Sequence, residues 1–270
     1  IVVTSRAGTL PFIRGHKTEV QVVADRLLLE KEHPTPDDFI QAVYEETKRH
    51  ALDFDLLYQL NDMSPLDSLT YQLTILEELG KIQAIVDELM ITLRKVWNQF
   101  KLKDQQQFLK KYKGIFTQLF GPFPEQTARR IISMIEKGQL IYLRGVSDIT
   151  YADQAFQIKT EQGNEKTEVM VSAVGPNKTG EQLANENHAS PLVKRLLQKG
   201  ILTLHPLGGI AITYPEFSIV TRTGVVDRLK LYGSLVSTTH FNNSGVGLIV
   251  SEIPYTVDQI VTTTVEEKVD

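Results

Sequence analysis

The sequence contains no cysteine, which excludes disulfides, thiolate nucleophiles and zinc sites with thiolate ligands. No uninterrupted apolar run approaches the roughly 20 residues that a membrane-spanning helix needs. The six histidines form no His-Glu-x-x-His motif and no tight cluster, so we predict no metal site. The net charge of -4 over 270 residues offers no broad positive surface to nucleic acid or to an anionic membrane. We therefore expect neither as a partner.

Two motifs of catalytic and ligand-binding loops are also missing. The chain has no Gly-x-Ser-x-Gly nucleophile elbow, and no Gly-x-Gly-x-x-Gly loop that opens a helix after a strand. It begins at Ile1 with a strand-like segment and carries neither an initiating methionine nor a secretory leader. We interpret the chain as a fragment of a longer protein. The lack of cysteine fits a reducing compartment, and we expect a cytoplasmic location, although a secreted bacterial protein would also fit.

The composition that remains is typical of a globular protein, with 41% hydrophobic and 23% charged residues. Over residues 17–137 the apolar residues recur at helical spacing. The start signals are Thr18, Thr35-Pro36-Asp37-Asp38 and Ser64-Pro65-Leu66-Asp67. The third signal opens a long apolar segment that runs to Val96, and residues 125–136 form a last amphipathic helix. The pattern predicts a bundle of five or six helices.

The periodicity changes to that of strands at Gln139. Residues 140–143 predict a strand. Residues 155–160 and 168–173 flank a polar turn at 162–165, which predicts an antiparallel hairpin. A helix follows over residues 191–197 and is closed by Gly200.

Residues 229–235 predict a short buried strand that ends at Gly233 and continues through a polar loop into a helix. In open α/β sheets, ligands lie at the carboxyl ends of strands, where helix N-termini face them. This stretch therefore predicts one half of a cofactor-binding corner.

Several segments together resemble a known family. The family's "SR.GlLP" run is similar to Val3-Thr4-Ser5-Arg6-Ala7-Gly8-Thr9-Leu10-Pro11. The family also has a strand with an Ala-Thr-Gly signature, which is similar to Val169 to Pro176, where Val174 replaces threonine. The runs from Pro191 to Ile210 and from Leu231 to Leu235 resemble two later signatures in the same order. The family is the bacterial FAD/NAD(P)-binding oxidoreductases with a helical insertion. The resemblance covers residues 1–16 and roughly 139–250.

The resemblance implies a set of cofactor-binding residues. Ser5 and Arg6 would lie near the nicotinamide nucleotide, and Gly175 would let the backbone pass close to the flavin nucleotide. Gly233 and Ser234 would lie beside the ribityl-diphosphate. A helix N-terminus would face the isoalloxazine at Asn242, Asn243 and Ser244. No catalytic residue follows from the resemblance, although His240 is the histidine we would test.

The resemblance implies FAD and NAD(P) as cofactors and hydride transfer by the flavin. The glycine-rich loops that hold the pyrophosphates are not in this chain, so we expect it to bind little or no FAD by itself. The predicted fold is an α+β fragment. It would comprise a remnant of the nicotinamide-nucleotide domain (1–16), a helical insertion (17–138) and strands that complete a Rossmann-like, three-layer FAD-binding domain (139–270).

A second function remains open from the same residues. The helices of the block have broad apolar stripes and no catalytic clustering, so the chain could be a non-catalytic protein-interaction module. The genomic sequence upstream of Ile1 distinguishes the two, because two glycine-rich strand-loop-helix motifs there would indicate the enzyme. The substrate and the oligomeric state do not follow from the sequence.

Overall fold

A computed structural model describes residues 1–5, 9–171, 190–236, 241, 250, 253–254, 256–257 and 261. In these residues the protein is α+β, as predicted. The chain divides into two compact units, one of Ile1–Thr92 with Gln107–Ala173 and one of Leu93–Gln106 with Val174–Asp270. We call them the first and second units. The three predicted domains stay a prediction. Among the described helices, none is both long enough and apolar enough to cross a membrane.

Helices dominate the first half of the chain. The α-helices are α1 (Asp25–Leu29), α2 (Pro36–Arg49), α3 (Leu56–Asp62), α4 (Pro65–Gln72), α5 (Leu76–Val96), α6 (Leu102–Phe120), α7 (Glu125–Glu136) and α8 (Pro191–Gln198). Short 3-10 helices cover Trp97–Gln99 and Ser234–Val236. Two helix starts follow the predicted signals. Thr35 and Asp38 form a capping box at α2, and the Ser64 hydroxyl accepts a hydrogen bond from the Asp67 N–H at α4.

The strands are β1 (Val2–Ser5), β2 (Ile141–Arg144), β3 (Asp148–Ala152), β4 (Ala155–Thr160), β5 (Gly163–Thr167), β6 (Ser218–Thr221) and β7 (Gly224–Lys230). In the described part of the chain they form three small sheets, with orders β1-β2, β3-β4-β5 and β6-β7. The pair β1-β2 is parallel, and Ser5 lies opposite Arg144. The whole series from α1 to α7 connects these two strands. A parallel pair needs such a crossover, because a tight turn cannot join its strands.

The helix predicted from Thr18 is wrong. Residues 12–23 instead form an extended segment, which packs Ile13 into a core cluster with Leu69, Leu76 and Ala128. Its backbone groups bond to distant helices rather than to each other. The Ile13 N–H donates to Gln72 Oε1 at 2.8 Å, and the Gly15 N–H to Gln83 Oε1 at 2.9 Å. These bonds hold the residues just before Thr18 against the distant helices.

The extended segment ends at a buried carboxylate. Glu46, only 1% exposed, accepts hydrogen bonds from the Val23 and Ala24 N–H groups at 3.1 and 3.0 Å. Arg49 also donates to this carboxylate. The backbone N–H groups just ahead of α1 are therefore held by a side chain of α2, and α1 starts only at Asp25.

The long apolar segment from Leu66 to Val96 is divided between two helices, because residues 73–75 separate α4 from α5. The Thr74 hydroxyl donates to the Tyr71 carbonyl at 2.7 Å, which satisfies a carbonyl at the end of α4. Gly80 in α5 lies against Gly15 of the extended segment. Glycine is required at this crossing because the two backbones touch.

The predicted hairpin exists with a different register. β4 pairs antiparallel with β5 over Gly163–Thr167, so the turn lies at residues 161–162 and the second arm of the hairpin ends at Thr167. β3, which was not predicted, pairs with the other edge of β4. Its two-residue turn uses Asp153 and Gln154, both with positive φ. This turn lacks the glycine that marks most such hairpins.

The second unit has its own core of Leu202, Ile210, Ile212, Phe217, Ile219 and Val236. The predicted helix α8 and its closing Gly200, with φ +70°, are confirmed. The buried strand predicted over residues 229–235 is wrong. β7 begins at Gly224, ends at Lys230 and is exposed, with Leu229 at 45%. β7 pairs with β6 across a bulge between Ser218 and Ile219. Of the predicted segment, Leu231, Tyr232 and Leu235 pack against the core of the second unit.

Candidate functional site

Three of the eight predicted cofactor-binding residues lie in the described part of the chain. Ser5 belongs to the first unit, and Gly233 and Ser234 to the second. Arg6, Gly175, Asn242, Asn243 and Ser244 lie outside the described residues, as does His240.

Ser5 lies at the carboxyl end of β1, beside the carboxyl end of β2. The parallel register puts Ser5, Tyr142 and Arg144 on one face, since side chains two residues apart in a strand share a face. The Ser5 Oγ and Tyr142 hydroxyl oxygen lie 3.1 Å apart, within hydrogen-bond distance. Strand ends of this kind are where open α/β sheets bind ligands. These three residues are the strand-end cluster.

Arg144 anchors the cluster to the helices. One guanidinium nitrogen, Nη2, donates to the Asn61 and Met63 carbonyl oxygens at 3.3 and 2.5 Å. The Arg144 backbone N–H donates to Gln162 Oε1 at 2.9 Å. The guanidinium thus satisfies carbonyls at the C-terminal end of α3, where intrahelical donors are missing. It holds a fixed positive charge beside Tyr142.

Burial raises the pKa of Tyr142, and the nearby Ser5 hydroxyl and Arg144 guanidinium oppose part of this increase. Tyr142 therefore stays a neutral phenol at physiological pH and can both donate and accept a hydrogen bond. Two hydroxyls and a cation can bind an oxygen atom of a ligand. The cluster contains no carboxylate or imidazole to act as a base. Among the described residues, no group of three His, Asp or Glu side chains could hold a metal ion.

A small cavity of about 20 Å³ adjoins the cluster. Its polar lining includes Thr9, Asn61, Ser68, Gln72, Tyr142 and Arg144. A cavity of this volume holds about one water molecule. A ribose or an isoalloxazine ring is far larger than this cavity, which therefore does not enclose either group. The described residues of the first unit provide hydrogen-bonding groups at a strand end and no glycine-rich phosphate-binding loop.

Gly233 and Ser234 form a tight corner in the second unit. Gly233 has φ +91°, which L side chains rarely adopt, and its carbonyl accepts from the Val236 N–H at 3.1 Å. Val236 is completely buried, and the Leu235 carbonyl accepts from the Ile210 N–H at 2.8 Å. The corner therefore directs Val236 into the core. Cofactor contact at this corner stays a prediction.

The loop of residues 205–209 lies beside this corner, because the Ile210 N–H that follows the loop donates to the Leu235 carbonyl. The histidine of this loop, His205, was not selected from the sequence. Gly208 and Gly209 have φ +96° and +76°, which allow the His205 N–H to donate to the Gly209 carbonyl at 3.0 Å. The Leu207 N–H donates to His205 Nδ1 at 3.2 Å. Burial lowers the pKa of His205, and a neutral ring is needed for Nδ1 to accept. His205 is a structural acceptor of the loop.

No protein-family model matches the chain. The curated proteins contain no significant match either.

Proposed function

We propose that this chain is part of a flavin-dependent, NAD(P)-linked oxidoreductase, to which it contributes a helical block and strands of a Rossmann-like sheet. In this proposal the fragment lacks the loops that bind the cofactor phosphates. The flavin, when bound to the whole protein, would supply the hydride chemistry.

The observation that carries the proposal is the parallel pairing of β1 with β2 across the helices. The resemblance assigns these two strands to either side of a helical insertion. A parallel neighbour at this distance along the chain is what a strand of an open α/β sheet needs, whereas meander folds pair consecutive strands antiparallel. The two ends of the crossover pair as parallel neighbours, which supports a Rossmann-like sheet. The pairing joins a strand of residues 1–16 to one of residues 139–270, which the resemblance assigns to different nucleotide-binding domains.

The strand-end cluster gives secondary support. Ser5 is the residue for which the resemblance implies contact with the nicotinamide nucleotide, and the Tyr142 hydroxyl lies 3.1 Å from it. Hydroxyl and guanidinium groups are suitable donors for ribose and phosphate oxygens. The small cavity beside them leaves the bulk of any dinucleotide to residues outside the described ones.

The product of the complete gene provides the test. After removal of free cofactor, we expect it to retain flavin absorbance, and we expect NADH or NADPH to bleach this absorbance without oxygen. The 270-residue chain alone should retain little flavin. A correctly folded, colourless full-length protein would overturn the proposal.

A variant of the cluster tests the role of Ser5 within that enzyme. Replacing Ser5 by Ala together with Tyr142 by Phe should raise the nicotinamide-nucleotide concentration needed for half-maximal bleaching, by about tenfold for a lost pair of hydrogen bonds. Flavin content should not change. Ser147→Ala, at an exposed serine of the same unit, should leave both unchanged. If the double variant needs the same nucleotide concentration for half-maximal bleaching, Ser5 takes no part in nucleotide binding.

A further inference from the structure

β3 is an exposed edge strand with two uncovered hydrophobic side chains. All five of its residues are exposed, including Ile149 at 42% and Tyr151 at 65%. Ile149 and Tyr151 are two positions apart and share a face. Tyr151 packs its ring against Phe156 of β4 at 4.9 Å, which fixes the apolar face of the sheet.

The register of β3 fixes which of its backbone N–H and C=O groups bond to β4 and which point to the open edge. The two-residue turn at Asp153–Gln154 makes Ala152 and Ala155 a hydrogen-bonded pair. Hydrogen-bonded and non-hydrogen-bonded pairs alternate along the strand, so the backbone groups of Thr150 and Asp148 also bond to β4. The N–H and C=O groups of Ile149 and Tyr151 therefore point to the opposite edge. In the described part of the chain no strand pairs with that edge.

Natural edge strands are usually protected against pairing by proline, lysine or a short length. β3 contains neither proline nor lysine. Its only charged residue is Asp148, at the first position. The outward backbone groups of β3 are thus available to another strand.

We propose that two copies of this chain pair antiparallel through β3, about a twofold axis at Thr150. In this register Ile149 lies opposite the partner's Tyr151, and Tyr151 opposite the partner's Ile149. Both residues present their outward N–H and C=O groups, so two hydrogen-bonded pairs form without disturbing β4. The register keeps all five residues paired.

Charge and side-chain chemistry support a second copy as the occupant. Asp148 lies opposite the partner's Ala152, so no like charges face each other directly. Each aromatic–β-branched cross-strand pair is of a kind that stabilises sheets. A register shifted by one residue would place outward groups opposite groups already bonded to β4. A twofold axis gives one closed interface, as in most homodimers.

The interface is small. Two five-residue strands bury much less than the roughly 1,200 Å² of a standard stable interface. The dimer is therefore weak and depends on protein concentration, with a dissociation constant from about 1 µM to about 1 mM.

The lack of cysteine allows a direct test by crosslinking. Thr150 would face the partner's Thr150 as a non-hydrogen-bonded pair, with Cα atoms about 4.5 Å apart. This separation is within the range that a disulfide spans. The Thr150→Cys variant should form a disulfide-linked dimer under mild oxidation. The Asp148→Cys variant is the matched control, since its two thiols would lie four residues, about 14 Å, apart along the strands.

Equal crosslinking in the two cysteine variants, or none in Thr150→Cys, would overturn the proposal. A second measurement does not depend on thiols. Sedimentation velocity of the unaltered chain should show a monomer that dimerises as concentration rises. Ile149→Pro removes an outward N–H, as edge strands tolerate, and should abolish dimerisation while the circular dichroism spectrum is retained. A monomer throughout, or an unchanged dimer in Ile149→Pro, would also overturn it.

Discussion

Gly15 and Gly80 cross backbone against backbone. A Cβ atom on Gly15 would lie 2.0 Å from the Gly80 nitrogen, and one on Gly80 would lie 2.0 Å from the His16 carbonyl oxygen. The His16 N–H donates to the Leu76 carbonyl at 2.8 Å, so the extended segment is bonded to α5 at this point. Neither backbone can retreat without losing these bonds.

We therefore expect Gly80→Ala to lower the free energy of unfolding by about 3 kcal/mol or more, as in overpacked cores. Gly114→Ala is the matched control, because nothing lies within 4 Å of a Cβ at that helical position. It should stabilise the protein by about 0.5–1 kcal/mol through helix propensity. Urea unfolding of both variants measures the difference. Equal effects of the two substitutions would contradict the crossing.

Gln83 binds the extended segment from the side of α5. Its Oε1 accepts from the Gly15 N–H, and its Nε2 donates to the Ile13 carbonyl at 2.9 Å. Gln83→Leu would leave two largely buried backbone groups without partners, so we expect a loss of about 2–4 kcal/mol. Gln41→Leu, at an exposed position whose amide bonds to Glu45, should change stability by less than about 0.5 kcal/mol. Chemical denaturation that ranks the two variants alike would contradict this role.

Glu46 gives the fold a pH dependence in the acid range. Burial opposes its ionisation, but hydrogen bonds from Arg49, Val23 and Ala24 outweigh burial and lower its pKa below the ordinary value. The stabilisation is complete above the unfolded-state pKa of about 4.3 and is lost as pH falls through the lower folded-state pKa.

At pH 7 we expect Glu46→Gln to reduce the free energy of unfolding by about 1.5–3 kcal/mol. The reduction should shrink between about pH 4.5 and pH 3, because Glu46 itself becomes neutral. Glu45→Gln, next to it on the exposed side of α2, controls for the change in net charge. A Glu46→Gln penalty that is constant from pH 7 to pH 3 would show that ionisation is irrelevant.

We expect a second pH dependence of stability, which arises from His205 in the second unit. Burial lowers its pKa in the folded state, so the folded protein resists protonation. Stability should be unaffected by this residue above the unfolded-state pKa of about 6.5 and should decrease as pH falls below it. His205→Asn should flatten the thermal-unfolding profile between about pH 7 and pH 5. His33→Asn, at an exposed histidine, should retain the profile of the unaltered chain.

Local signals in the sequence predicted several elements correctly. The caps at Thr35 and Ser64 bond to backbone groups three residues away. Their effect can therefore be predicted from the local sequence. The helix over Glu125–Glu136 follows from its 3.6-residue spacing. The α+β class follows from the change of period at Gln139.

The errors arise where distant partners decide the local structure. Residues 17–23 have a helical pattern, but Gln83 and Glu46, far along the chain, bind the segment that contains them in an extended form. In the candidate site, Ser5 was selected from the sequence and Tyr142 and Arg144 were not. Their proximity depends on pairing across 137 positions, for which a single sequence carries no signal.

The parallel register of β1 and β2 also bears on how the molecule tolerates change in evolution. The polypeptide leaves the sheet after Ser5 and re-enters it at Ile141, which lies opposite Val2 on the adjacent strand. The two strands are about 4.8 Å apart. Insertions and deletions among the intervening helices leave the relative position of Ser5 and Arg144 unchanged, provided that both strands remain paired. The loops of the helical block can thus vary in length, whereas the end of α3 stays tied to the strand ends by the Arg144 bonds to the Asn61 and Met63 carbonyls.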